Sequence, residues 1–182
     1  MKTAAAILLS LAILGCGTSS RPQSAPPPPP PPTNAVDRGI QLYRSGQYAE
    51  AARVLGEAVS PESNDARGLA YLGLSLVQTD RSQQALRFLN RAAELDPNYA
   101  EPHYGLGLAN GYMDRIPNMV DELEAAVRLD PRHAYAHYHL GLAYNKQDRT
   151  DLAILHLERF LELAPDAQEA PQVRALLSRL RR

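Results

Sequence analysis

Thirteen residues of the chain, HYGLGLANGYMDR from His103 to Arg115, return 34 residues later as HYHLGLAYNKQDR, from His137 to Arg149, with eight positions identical. The same interval recurs through four residue types. Gly39, Gly73, Gly107 and Gly141 are spaced by 34, and Leu72, Leu106 and Leu140 precede three of them. Ala51, Ala85 and Ala153 follow their glycines by twelve, Ala58, Ala92 and Ala126 by nineteen, and Pro97, Pro131 and Pro165 close three units. A period of this length makes each unit one supersecondary element that buries too little surface to stand alone, so copies must stack into a continuous core.

The residue types predict a helical hairpin per unit. Small Gly and Ala allow two helices to approach closely where they cross. Leu55, Leu89, Leu123 and Leu157 are expected to fill the gaps between crossings. Gly46, Asp80, Asp114 and Asp148 stand at equivalent places between the two helices. Gly and Asp tolerate the left-handed backbone that ends one helix and starts the next. Proline then ends the second helix, which it cannot continue. After Pro165, Val173, Leu176, Leu177 and Leu180 form one apolar stripe, with Arg174, Arg179, Arg181 and Arg182 turned away or at the end. Such a helix suits a polar-backed cap over the last unit; a basic amphipathic helix on an anionic surface is the alternative.

The pattern resembles the tetratricopeptide repeat, whose signature is a large residue followed by Leu-Gly, Tyr, Ala, an aromatic, Ala and Pro. Residues 32–165 carry it, and the fourth unit matches best, with Leu140, Gly141, Tyr144, Ala153, Leu157 and Pro165. The resemblance implies an all-α fold, a right-handed α-solenoid of four helix pairs (34–65, 66–99, 100–133 and 134–165) with a capping helix at 166–182. The units also depart from the signature. The large residue at the fourth position is replaced by Ala35, Leu69, His103 and His137. Met119 stands where a small crossing residue is expected, an overpacking of about 1–3 kcal/mol unless the helices shift. Gly105, Gly107 and Gly111 weaken the same unit's first helix by roughly 1 kcal/mol each where uncompensated. Pro61 ends the first unit two residues early. Units one and three are therefore expected to be the less regular.

In this family the first helices line a concave groove. The matching positions are Thr33, Val36, Ile40, Tyr43 and Arg44; then Arg67, Ala70, Leu74, Val77 and Gln78; then Glu101, Tyr104, Leu108, Gly111 and Tyr112; and finally Tyr135, Tyr138, Leu142, Asn145 and Lys146. The implied surface is apolar along its floor and rich in tyrosine, which combines a large buried area with a polar handle. A protein partner presenting a helix or an extended peptide with apolar anchors is the implied guest. Ile40, Leu74, Leu108 and Leu142 occupy the places where the chaperone-tail subclass needs carboxylate-clamping asparagines, which argues against that subclass.

Two segments precede the repeats. MKTAAAILLSLAILGC has a basic start and an apolar stretch too short to span a bilayer, as in a secretory signal (1–15). Ile13-Leu14-Gly15-Cys16 resembles the bacterial lipobox, which implies lipidation of Cys16, the chain's one cysteine, by acyl chains such as palmitate. Gly17 follows in place of Asp, implying the periplasmic face of the outer membrane in a Gram-negative host. Residues 16–33 then form a linker with seven consecutive prolines, Pro26–Pro32. Its composition buries no core. A semi-rigid spacer is its simplest use, with recognition by a proline-binding partner as the alternative.

The remaining chemistry is sparse. A net charge of -1 gives no electrostatic footprint for nucleic acid. A single cysteine makes neither an intrachain disulfide nor a cysteine-based metal site. His133 and His137 are four apart and could face one metal, but His103 and His137 more simply fill the large-residue slot of their units. No nucleophile elbow, phosphate-binding glycine loop or zinc-protease helix is present, and no cofactor is implied. The expected function is a non-catalytic, membrane-anchored scaffold. Its architecture resembles pilotin-like factors that assemble the type IV pilus secretin. An adaptor docking cell-wall enzymes is the alternative, and an enzyme or glycan binder the minor one.

Overall fold

A computed structural model describes residues 34–182; the signal, the lipidation site at Cys16, the proline-rich linker and groove position Thr33 lie outside the described residues. The described residues form helices and no strand. They run α1 (Ala35–Arg44), α2 (Tyr48–Ala58), α3 (Ala66–Gln78), α4 (Ser82–Leu95), α5 (Ala100–Tyr112), α6 (Ile116–Leu129), α7 (Ala134–Lys146), α8 (Thr150–Leu163) and α9 (Ala170–Leu180). α1, α3, α5 and α7 each pair with the next helix to make a hairpin, and successive hairpins stack on one another. This is the all-α solenoid expected of the repeat. Among the described residues no helix is long and apolar enough to cross a membrane.

The turns inside the hairpins are alike in all four units. Gly46, Asp80, Asp114 and Asp148 are left-handed, with φ of 78°, 61°, 56° and 58°. The next residue's N–H then reaches back to a carbonyl in the last helical turn: Gln47 to Leu42 and Arg81 to Leu76 at 2.9 Å, Arg115 to Asn110 at 2.9 Å, and Arg149 to Tyr144 at 3.0 Å. This six-to-one bond is the Schellman closure, which satisfies carbonyls left without partners at a helix end. The left-handed residue permits it, and Asp bears that conformation better than bulkier types. Asp80→Gly should therefore be neutral or slightly stabilising, whereas Asp80→Val should cost about 1–2 kcal/mol; chemical denaturation followed by helicity separates the two.

The crossing is tighter than the sequence suggested. The leucines expected between crossings sit directly on the glycines. A Cβ placed on Gly73 would lie 2.5 Å from Leu89 Cγ; on Gly107, 2.6 Å from Leu123 Cγ; and on Gly141, 2.7 Å from Leu157 Cγ. Gly39 meets Leu55 in the same way. All four leucines are fully buried. Each hairpin is thus closed by a leucine seated in the notch of a missing side chain.

Unit one has short helices, 10 and 11 residues, as its early proline suggests. Unit three does not show the expected irregularity. Its helices have 13 and 14 residues, the same as units two and four. The cause is a local compensation: a Cβ on Gly111 would lie 2.8 Å from Met119 Sδ, so the long side chain fills the space beside that glycine. Gly105 has its own packing role, since a Cβ there would come within 2.6 Å of Leu89 in the preceding unit. At the end of the stack α9 lies against α8, joining Val173 and Leu177 to Leu157 and Phe160 in a terminal apolar cluster. Arg174 and Arg179 on its other side are exposed.

Candidate functional site

The first helices of the four hairpins wall a groove of about 590 Å³. Seven of the chain's nine tyrosines line it: Tyr43, Tyr48, Tyr71, Tyr104, Tyr112, Tyr135 and Tyr138. The rings form two groups. Near α1, Tyr43 lies 5.2 Å from Tyr48 and meets Tyr71 edge-on at 5.3 Å. The Arg44 guanidinium sits 5.8 Å from the Tyr71 ring centre and donates to its hydroxyl at 3.4 Å. Toward α7, Tyr104 stacks obliquely on His133 at 4.5 Å, and Tyr138 contacts His139 at 4.9 Å and Phe160 at 5.1 Å. Tyr135 donates to Glu169 at 3.2 Å, which brings the residue before α9 to the groove edge. Separations of this kind are favourable for aromatic pairs.

The surface is uncharged over most of its area. Burial raises the phenols of Tyr43, Tyr104, Tyr135 and Tyr138, so all stay protonated at neutral pH. Burial, helped by His133, pushes His139 down to about 4, and burial lowers His133 as well. Burial also raises the Glu101 carboxyl at the groove wall. Neutral rings with hydroxyl donors therefore dominate, with Arg44 near one end and Glu169 near the other.

A smaller cavity of about 260 Å³ shares Tyr112 and His139 with the groove. Leu108, Gly111, Met119, Leu142 and Ala143 line it, and Lys146 borders it. Lys146 approaches Asp114 at 4.0 Å. The Gly111–Met119 exchange thus forms part of an apolar pocket.

The residues assigned from the sequence divide among these surfaces. Tyr43, Arg44, Leu74, Tyr104, Tyr112, Tyr135 and Tyr138 line the groove, and Leu108, Tyr112, Leu142 and Lys146 the smaller cavity. Arg67 and Asn145 line neither; Arg67 pairs with Asp37 at 2.7 Å. Tyr104 is an inner ring, only 8% exposed, whereas Tyr112 and Tyr135 are 64% and 40% exposed. Sequence reasoning missed Tyr48, Tyr71, His133, His139 and Glu169. Tyr71 and His139 share the sixth position of their units, two periods apart, so a comparison of that column could have found them.

The histidines are directed into separate local contacts. His133 caps α7, its Nδ1 accepting from the Ala136 N–H at 3.1 Å. His137 is buried and meets His156 Nδ1 to Nδ1 at 2.9 Å, with its Nε2 3.2 Å from the Pro131 carbonyl. His103 pairs through Nδ1 with Glu122 at 2.8 Å. Among the described residues no cluster of three or more His, Cys, Asp or Glu side chains is arranged to hold a metal ion.

Solved structures share the architecture. MamA matches with 28% identity and a TM-score of 0.61, over 78% of this chain and 82% of that one. TTC0263, a thermophilic TPR protein of Thermus thermophilus, gives 24% and 0.66, over 81% and 79%. YrrB, described as a TPR protein with an unusual peptide-binding site, gives 23% and 0.60, over 78% and 73%. No curated protein matches the sequence significantly. A tetratricopeptide repeat family model matches residues 36–100 and 120–168, and its gap spans α5, where Gly105 and Gly111 depart from the repeat pattern. With four stacked hairpins and this match over more than half its length, the chain belongs to the tetratricopeptide repeat family.

Proposed function

We propose that this protein is a non-catalytic scaffold of the bacterial envelope, anchored through a lipid on Cys16, that holds a peptide or helix of a protein partner in its concave groove. The observation that carries this reading is the gathering of seven tyrosines into one groove. Tyrosine gives large contact area with few torsions to freeze and keeps a hydroxyl for backbone groups of a guest. The adjoining apolar pocket suits one anchoring side chain of that guest, and a buried anchor is where such interfaces concentrate their energy. A peptide-binding site in YrrB, a protein of the same fold, supports a peptide guest. By architecture the partner is a secretin subunit of a type IV pilus machine.

The discriminating variant is Tyr112→Ala with Tyr135→Ala, since both rings are exposed and neither belongs to the buried core. Helicity should be unchanged while secretin capture falls at least about tenfold, roughly 1.4 kcal/mol. Undiminished capture would move the binding surface elsewhere. Tyr104 is a poorer probe, because truncating a buried aromatic ring costs about 3–5 kcal/mol of stability. Deleting the gene should abolish the secretin multimer. An intact ring would reject that partner, and recovery of murein hydrolases on the groove would favour a cell-wall adaptor. Cys16→Ser should abolish incorporation of a labelled fatty acid; persistent labelling would reject the anchor.

A further inference from the structure

The groove offers one kind of chemistry. Tyr112 and Tyr135 present exposed rings, Tyr43 and Tyr138 half-buried ones, and Arg44 and Gln78 add N–H donors. A guest that complements this surface has flat apolar faces and free carbonyl acceptors. A run of prolines has both: every residue carries a ring and a carbonyl and none carries a backbone N–H. It is also held in an extended helix without internal hydrogen bonds, so it loses little freedom on docking against aromatic rings.

This chain contains such a run, Pro26–Pro32, of about 22 Å at ~3.1 Å per residue. Arg21 is the one charged residue between Lys2 and Asp37, and the groove wall carries the carboxylates of Glu101 and Glu169. We propose that the groove docks the proline run of a second copy of this chain. The inference rests on the groove being the docking surface.

The connection to α1 is what favours a second copy. Thr33 and Asn34 alone separate the run from α1, and Asn34 is committed as its cap: its backbone is extended at φ −145° and ψ 173°, and its side chain accepts from the Asp37 N–H at 2.8 Å. Tyr43 and Arg44, which begin the groove, lie at the far end of α1, about 15 Å on at 1.5 Å per residue. A stiff proline segment would have to reverse within those two residues to lie in its own groove. A neighbour's segment needs no reversal. Self-association through the run then competes with any other guest for the same rings.

The test uses the full chain in mild detergent and a matched full chain with Pro26–Pro32 all replaced by serine. Sedimentation should show the natural chain associating as concentration rises and the serine chain remaining monomeric. A synthetic peptide spanning Arg21–Thr33 should bind the serine chain calorimetrically, and adding Tyr112→Ala and Tyr135→Ala to that chain should weaken binding at least about tenfold. The same peptide should dissociate the natural assembly. Absence of peptide binding up to millimolar concentration overturns the proposal, as does binding indifferent to the two tyrosines. A natural chain that stays monomeric at every concentration also overturns it, because the run would then not be shared between copies. If the peptide fails while partner capture still depends on Tyr112 and Tyr135, this inference falls and the groove's role stands.

Discussion

Gly73→Val should destabilise the array by about 3–4 kcal/mol, above the roughly 1–3 kcal/mol that overpacking a core ordinarily costs. A Cβ at this position lies 2.5 Å from Leu89 Cγ and 2.7 Å from its Cδ2, and valine adds two further methyl groups. Leu89 is completely buried and cannot swing into solvent. The three atoms nearest that Cβ all belong to the leucine's side chain, so Leu89→Ala should relieve the closest clash. Alone, Leu89→Ala should cost about 2–5 kcal/mol for the cavity it leaves. The double variant should be more stable than the sum of the singles implies, by at least about 2 kcal/mol. Denaturant unfolding of the four proteins closes the cycle, and strict additivity would show that the two residues do not oppose each other. Gly56→Ala is the control: its added Cβ would meet only Leu72 Cδ1, at 3.9 Å, and an exposed helical glycine replaced by alanine should gain up to about 1 kcal/mol.

Acidification should weaken the fold between about pH 6.5 and 4 through its histidines. His139 and His156 are each pushed down to about 4, in both cases chiefly by burial, and His133 and His137 are lowered too. A folded-state value below the unfolded one means that the native protein binds fewer protons. The associated stability is therefore complete above about pH 6.5 and is lost as pH falls toward 4. His137 and His156 form a stacked pair with rings 5.1 Å apart, and protonating both would set two cations against each other. Glu101 acts in the opposite sense, since burial raises its carboxyl and acid relieves it. The net loss should be on the order of 3 kcal/mol after allowance for partial exposure, or about 10 °C in Tm for a domain of this size. Replacing His139 and His156 with asparagine should flatten the Tm profile across that window; an unchanged slope would assign the effect to other groups.

The periodic part of this architecture was legible because it rests on residue size and backbone tolerance. Glycines spaced by 34 marked the crossings, and Gly46 with its three aspartates marked the left-handed turns, since few residue types serve either purpose. What escaped was relational. Nothing in Leu89 alone says that it occupies the notch of Gly73, and nothing in Met119 says that Gly111 makes room for it. The groove was half legible for the same reason. Helical phase indicates which residues face inward, but not which partners they find: Arg67 pairs with Asp37 and lines neither cavity, nor does Asn145, while Tyr71 and His139 line the groove. Glu169 arrives from the last connection, whose path no repeat specifies.

The exchange between Gly111 and Met119 bears on how arrays of this type are recombined. In the other units the corresponding partners are Tyr43 with Ala51, Val77 with Ala85, and Asn145 with Ala153. Grafting α6 behind α3 would drive a methionine against Val77, and grafting α4 behind α5 would leave an alanine facing an empty glycine. The interchangeable brick of this protein is therefore the two-helix pair, and chimaeras spliced inside a pair should fold less well than those spliced between pairs.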